Sequence, residues 1–249
     1  MKRKNRSFTL TLAGEFFYQK SLILTADYER MCSEATRIAK GNQANLKIGY
    51  LRCYTGGEFH RALELFSEKH PDVDVSVTYG NHEELYAMLR SEGVDLILND
   101  QRRAFSDEYV NLLLATCESY VEVSTRSPLA QLPRITPQEL KNIPCILVAS
   151  SAAQRETEQE YYRTVVGLRC EFLYAENMEE ARLMVISRKG FLPVEGASAL
   201  PAMGNAIVRI PLVRGEEPIM RNYCAFWKKD NSGYYVEEFA KLLKGQFVK

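Results

Sequence analysis

From residue 46 onward the apolar residues of this 249-residue chain switch spacing repeatedly, and that alternation restricts the fold more than any other feature. Residues 46–50 read as a buried strand, Phe59, Ala62, Leu63 and Phe66 fall on one face of a helix, and Val73, Val75, Val77 and Tyr79 alternate with polar residues as in a second strand. Leu85, Met88 and Leu89 mark another helix, and 94–98 a third strand. The order βαβαβ predicts a parallel sheet with helical crossovers. Two separate apolar stretches, 110–115 and 120–123, close this half.

A second set of the same kind follows the Pro-containing segment 127–133. Thr136-Pro137-Gln138-Glu139 has the form of a capping box with Pro at the first helical position, which predicts a short helix. Then come a strand at 146–148, a helix near 155–166, a strand at 170–173, a helix capped by Asn177 and ended by Gly190, and a strand at 191–194. The tail holds the apolar stretch 223–227 and a last helix with Val236, Phe239, Ala240 and Leu243 on one face before Gly245. With no strands of its own, that helix is expected to return to the first unit, so that two strands rather than one linker join the halves. The expectation is two layered units enclosing a polar crevice at their boundary.

Ahead of the strands, Thr11 is placed to cap a helix opening at Leu12. Phe17, Ser21, Leu24, Tyr28, Met31, Ala35 and Ile38 follow at alternating spacings of four and three until Gly41 supplies a stop. That seam averages about 3.5 residues, the period of helices that pair. The rod would be roughly 43 Å long at 1.5 Å per residue, so dimerisation through it is expected, the alternative being that the stripe packs on its own body.

The 32 basic and 32 acidic residues balance, which argues against the body being a nucleic-acid surface by itself. A hydrophobic share of 46% excludes a disordered or fibrous chain. No apolar run approaches the roughly 20 residues of a membrane span, and no secretory apolar region follows Lys2, Arg3, Lys4 and Arg6, so a cytoplasmic protein without membrane contact is expected. The six cysteines (Cys32, Cys53, Cys117, Cys145, Cys170, Cys224) have no metal or redox spacing and are expected reduced, Cys53 being the candidate for a lowered pKa. His60, His70 and His82 also lack metal spacing. Dinucleotide, Walker, zinc-protease and nucleophile-elbow motifs are all missing from the sequence, so the expectation is no enzyme, no metal and no cofactor.

In parallel α/β units small molecules sit outside the carboxyl ends of the strands, where helix N-termini present free N–H groups. The loops reaching that edge are 51–57, 80–83, 99–103, 150–155 and 194–198, and their polar residues include Arg52, Cys53, Thr55, Asn81, His82, Asn99, Gln101, Arg102, Ser150, Ser151 and Glu195. Asn81 with Glu84, and Ser151 with Gln154, have capping-box spacing. Glu83 and Glu84 make the first of these a poor anion site, so an anionic ligand is expected nearer Thr55, Ser151 and Arg102.

Leu46-Lys47-Ile48-Gly49-Tyr50, Phe59 to Leu63, His70-Pro71-Asp72-Val73, Gly93-Val94-Asp95-Leu96, Ser127-Pro128-Leu129-Ala130, Phe191-Leu192-Pro193 and Ala225-Phe226-Trp227-Lys228-Lys229 together resemble the effector-binding domain of LysR-type transcriptional regulators. Leu10-Thr11-Leu12-Ala13-Gly14 is similar to that family's entry into its linker helix. The resemblance implies an α/β fold, a two-lobed type II periplasmic-binding-protein-like domain with an N-terminal long linker helix. It divides the chain into a wing remnant and dimerisation helix (1–41), a first lobe (46–119 plus 229–249) and a second lobe including the crossing strands (120–228). It implies a small-molecule effector between the lobes, held by Cys53, Tyr54 and Thr55 after the first strand, Asn81 and His82 after the second, and Ser150 and Ser151 from the opposite lobe; Asn99, Arg102 and Glu195 complete the candidate set. Cys53 and Asn81 stand where the family often has hydroxyl residues, a departure from a small-carboxylate effector. The helix-turn-helix the family carries has no counterpart in these residues, so Lys2, Arg3, Lys4 and Arg6 are the only expected phosphate contacts, and DNA is a partner only where the native protein supplies that motif. A homodimer or higher homo-oligomer is implied. The alternatives are a transporter's solute-binding protein and an accessory dimerisation partner without DNA binding.

Overall fold

The computed structural model describes residues 2–4, 7–39, 44–54, 56–195 and 204–247. An antiparallel hairpin, β1 (Lys2–Lys4) and β2 (Ser7–Thr9), leads into α1 (Leu12–Ala39). Thr11 caps that helix, its hydroxyl accepting from the Gly14 N–H at 3.2 Å. Four of the helix's large stripe residues are not covered by the rest of the chain: Phe17, Leu24, Tyr28 and Met31 are all 60% exposed or more. No described helix is long and apolar enough to cross a membrane.

The first lobe begins with β3 (Ala44–Leu51), α2 (Glu58–Lys69), β4 (Val73–Gly80), α3 (His82–Arg90) and β5 (Leu96–Asp100). β3 pairs in parallel with β4 on one side and β5 on the other, as the βαβαβ order predicts. β6 (Tyr109–Ser124) then runs as one 16-residue strand, not as two segments. The second lobe follows as β7 (Cys145–Val148), α4 (Ala152–Tyr161), β8 (Phe172–Ala175), α5 (Met178–Ile186), β9 (Leu192–Glu195), β10 (Ile207–Pro211), β11 (Val213–Arg214) and β12 (Glu217–Pro218). The chain returns through β13 (Met220–Lys228) and ends in α6 (Tyr234–Phe247).

β6 explains the joint. Its residues 109–118 pair with β13 in the first lobe, and 119–124 pair with β9 and β10 in the second. At the crossing the Ser119 N–H donates to Ile219 C=O, so the two strands pass between lobes hydrogen-bonded to each other. Pairing is therefore unbroken across seven strands, in the order β10-β6-β13-β5-β3-β4 with β9 added on β6. The lobes separate by core instead. One core holds Ile48, Phe59, Phe66, Leu85 and Phe239, and two others, around Leu147 with Phe191 and around Ile146 with Val185, fill the second lobe. Tyr223 to Trp227, assigned above to the second lobe, pack in the first lobe's core because β13 lies there between β5 and β6.

α6 packs across α2, with the Phe239 ring 5.7 Å from Phe66 and 5.9 Å from Phe59. Its four-residue apolar face is buried and the helix continues through Gly245. The capping box at 136–139 forms, the Glu139 carboxylate accepting from the Thr136 N–H at 2.8 Å, but it closes only turns. Leu140 dives into the core and Pro144 follows, so too few residues remain to repay helix nucleation. α5 ends at Ile186, short of Gly190, with Arg188 taking the left-handed conformation at φ 58°. Gly190 is required for another reason: a Cβ there would sit 2.2 Å from the Pro144 carbonyl oxygen. Under α5, buried Glu122 of β6 receives Arg182 Nε at 2.9 Å and Arg209 Nη2 at 2.9 Å, which ties the helix to the sheet.

Candidate functional site

The ends of β3, β5, β7 and β9 and the starts of α3 and α4 meet between the lobes. Cys53 and Asn81 from the first lobe and Ser150 and Glu195 from the second line one crevice, with Arg52 beside them. Its free space is about 50 Å³, enough for a few waters at roughly 10–15 Å³ each. The crevice is closed by the protein's own side chains.

Both predicted capping boxes form, and they are joined. Asn81 Oδ1 accepts from the Glu84 N–H at 2.8 Å while Glu84 Oε2 accepts from the Asn81 N–H at 2.9 Å. Ser151 Oγ accepts from the Gln154 N–H, and Gln154 Oε1 accepts from the Ser150 N–H at 2.8 Å and its hydroxyl at 2.9 Å. Gln154 Nε2 then donates across the crevice to Glu84 Oε1 at 2.6 Å. The two helix N-termini that could seat an anion are thus filled by Glu84 and Gln154.

Behind them runs a buried charge network. Arg102 Nε donates to Asp100 Oδ2 at 2.9 Å, and its other end meets Glu158 of the second lobe, Nη2 donating to Oε2 at 3.0 Å. The guanidinium lies 4.3 Å from the Tyr161 ring centroid, a cation–π contact. Arg221 on β13 pairs with Glu195 and donates to Tyr162 Oη at 3.2 Å. His82 Nδ1 lies 2.9 Å from Asp100 Oδ1. Burial by itself would push the Asp100 carboxyl up, but Arg102, the His82 hydrogen bond and Arg221 together hold it well below the usual carboxylate range. Two guanidinium groups and three carboxylates therefore bridge the lobes in a space of low dielectric, where each depends on its partner. Two donors stay unpaired at the base of this network, Arg221 Nε and the Tyr223 hydroxyl, both fully buried.

Several candidates lie elsewhere. Tyr54 turns into the first lobe's core and donates to Glu58 Oε2 at 2.6 Å. Asn99 is fully buried and serves the backbone, donating to His82 C=O at 3.1 Å. His82 sits behind the crevice on Asp100, Ser151 is occupied as a cap, and Arg102 is held at both ends, so neither of the last two is an open anion seat. Thr55 and Arg6 fall outside the described residues, while Lys2, Arg3 and Lys4 lie on β1. The residues sequence reasoning missed are Asp100, Glu158, Tyr161, Tyr162 and Arg221. A trace existed for two of them: Asp100 follows the apolar run Leu96-Ile97-Leu98 at the end of a strand, and Arg221 stands just ahead of the apolar stretch 223–227.

The Cys53 thiol is pushed up, not down: burial is the main cause, and Glu195, Asp100 and Glu158 add to it against Arg221. Cys170, half-buried and hydrogen-bonded through its sulfur with Cys145, is lowered instead. Iodoacetamide at pH 7.5 is accordingly expected to label Cys170 at least about tenfold faster than Cys53, as read by peptide mass mapping; equal rates would contradict the closed crevice. Among the described residues no group of three or more His, Cys, Asp or Glu side chains is placed to hold a metal.

Two α/β lobes, joined by paired strands and closed over a polar crevice, have the two-lobed fold of the periplasmic-binding-protein type. A model of the LysR substrate binding domain matches residues 39–248, and the chain belongs to that family. Full-length OxyR (a variant) from Pseudomonas aeruginosa is similar over 99% of this chain and 78% of its own, with a TM-score of 0.65 at 15% identity. A full-length BenM variant gives a TM-score of 0.66 at 17% identity over 98% of this chain and 80% of its own. The regulatory domain of MetR, a LysR family regulator from N. meningitidis, gives 0.67 at 14% identity over 82% of this chain and 93% of its own. In sequence, the HTH-type transcriptional regulator CysB of Haemophilus influenzae is 24% identical over 138 residues, which are 55% of this chain and 43% of CysB. The chain thus spans less than half of that relative's length.

Proposed function

We propose that this chain is the sensing part of a LysR-type transcriptional regulator, a homodimer acting in the cytoplasm that binds a small effector between its lobes and passes the change in lobe arrangement to DNA-binding elements. The observation that carries the reading is the network from Arg102 to Glu158 and from Gln154 to Glu84, which closes the lobes with protein groups where a ligand would sit. An effector that replaces these contacts binds one lobe arrangement better than the other, and only such a difference shifts the equilibrium. The BenM effector-binding domain, a structural neighbour, has been solved with its effector benzoate. The same geometry argues for an effector that brings its own hydrogen-bonding groups, because the starts of α3 and α4 at the crevice are filled.

The test is a thermal-shift screen of amino acids, keto acids and amines on the purified chain, followed by calorimetry on the hits. At least one saturable ligand is expected, and Cys53→Met, which narrows the crevice at its lining, should weaken it by about tenfold or more. A screen without a saturable ligand, or binding indifferent to Cys53→Met, defeats the reading.

A further inference from the structure

A larger cavity lies in the first lobe, with about 240 Å³ of free space between α3 and the segment that joins β5 to β6. His82, Tyr86 and Arg90 line it at four-residue intervals along one helix face, which puts one side chain per turn against the space. Phe105 and Tyr109 form the opposite wall. Tyr86 contacts Tyr109 at 6.2 Å and Phe226 at 5.3 Å between ring centroids, so the walls are held by aromatic packing. Phe105 nevertheless stays 48% exposed at the mouth.

The polar groups are unevenly committed. Arg103 and Glu83 neutralise each other at 2.6 Å. Among the described residues Arg90 has no ion-pair partner, and neither the Tyr86 nor the Tyr109 hydroxyl has a hydrogen-bonding partner, although both phenols belong to lining residues. One acceptor, the Glu108 carboxylate, is likewise uncommitted at the rim. Three free donors against one free carboxylate, between aromatic walls, favour a planar ring bearing an acceptor group. A dry cavity of roughly 150 Å³ already takes benzene, so this one has room for a ring and a short substituent.

We propose that this cavity is a second small-molecule site, for an aromatic carboxylic acid whose ring packs against Tyr86 and Phe105 and whose carboxylate meets Arg90. The site is independent of the interlobe reading, although His82 is common to both: it lines this cavity and holds Asp100 of the network behind it.

Calorimetric titration of the full chain with phenylacetate tests the proposal. Saturable binding is expected, weakened roughly tenfold by Phe105→Ala, which removes the ring wall, and similarly by Arg90→Gln. Both side chains are exposed, so folding is preserved and is checked by circular dichroism. Arg90→Gln should leave the weaker binding of neutral 2-phenylethanol unchanged, and Cys53→Met should leave phenylacetate binding unchanged. No saturable heat, full binding in the Phe105→Ala or Arg90→Gln variant, or tighter binding of phenethylamine than of phenylacetate would each overturn it.

Discussion

Arg102→Met is expected to lower the melting temperature of this chain by roughly 6–20 °C and to loosen the lobes. The side chain is buried with Asp100 on one side and Glu158 on the other. Removing the cation strands Glu158 and leaves Asp100 with only His82 and the more distant Arg221, at about 3–5 kcal/mol for a broken buried pair. In a chain of this size each kcal/mol moves the midpoint by about 2–4 °C. Glu158→Gln should cost less, because Arg102 keeps Asp100, and the difference between the two variants isolates the contact that crosses the lobes. The pH profile gives a second readout. The Asp100 carboxyl is depressed in the folded state, so its contribution is complete above its unfolded value near ~3.9 and disappears as pH falls toward the depressed folded value. The melting temperature should therefore hold level between about pH 5 and pH 7 as far as this group is concerned and fall below about pH 4, a fall that Asp100→Asn reduces. A shift under 2 °C in Arg102→Met, with an unchanged radius of gyration in solution scattering, would show that the network does not hold the lobes together.

Leu24→Glu combined with Met31→Glu is expected to convert a dimer to a monomer, raising the dissociation constant by about 100-fold or more, since each seam charge left without a partner costs a few kcal/mol. Both side chains are exposed in the single chain, 71% and 60%, and neither contributes to any of its cores. The lobes of the double variant should consequently melt where the wild type melts. Sedimentation equilibrium at micromolar concentration decides: a monomeric wild type, or a double variant that stays dimeric, removes the proposed pairing through α1. The alternating spacing of Phe17, Leu24, Tyr28 and Met31 is what gives the expectation its direction, because a seam of period about 3.5 stays in register with a partner helix over the whole rod.

The capping signals at Asn81 and Ser151 were legible because each depends on a residue three positions away, and both boxes form. That Gln154 of one box reaches Glu84 of the other could not be read the same way, as the two lie 70 residues apart and meet only when the lobes close. In sequence, Thr116, Glu118 and Ser119 look like a break between the apolar stretches 110–115 and 120–123, although β6 is one strand. They are the crossing between lobes, where partners change from β13 to β9 and β10 and one face is open to water.

Local spacing, caps and strand alternation determined on their own that this chain would form α/β units behind a long helix with an apolar stripe, because those signals act between neighbours within a turn or a strand. Which charged residues face one another across the crevice, and that Arg102 and Ser151 are already taken, was decided only by the docking of the lobes. A buried charge is tolerated where its partner arrives, and that partner is set by tertiary geometry rather than by distance along the chain.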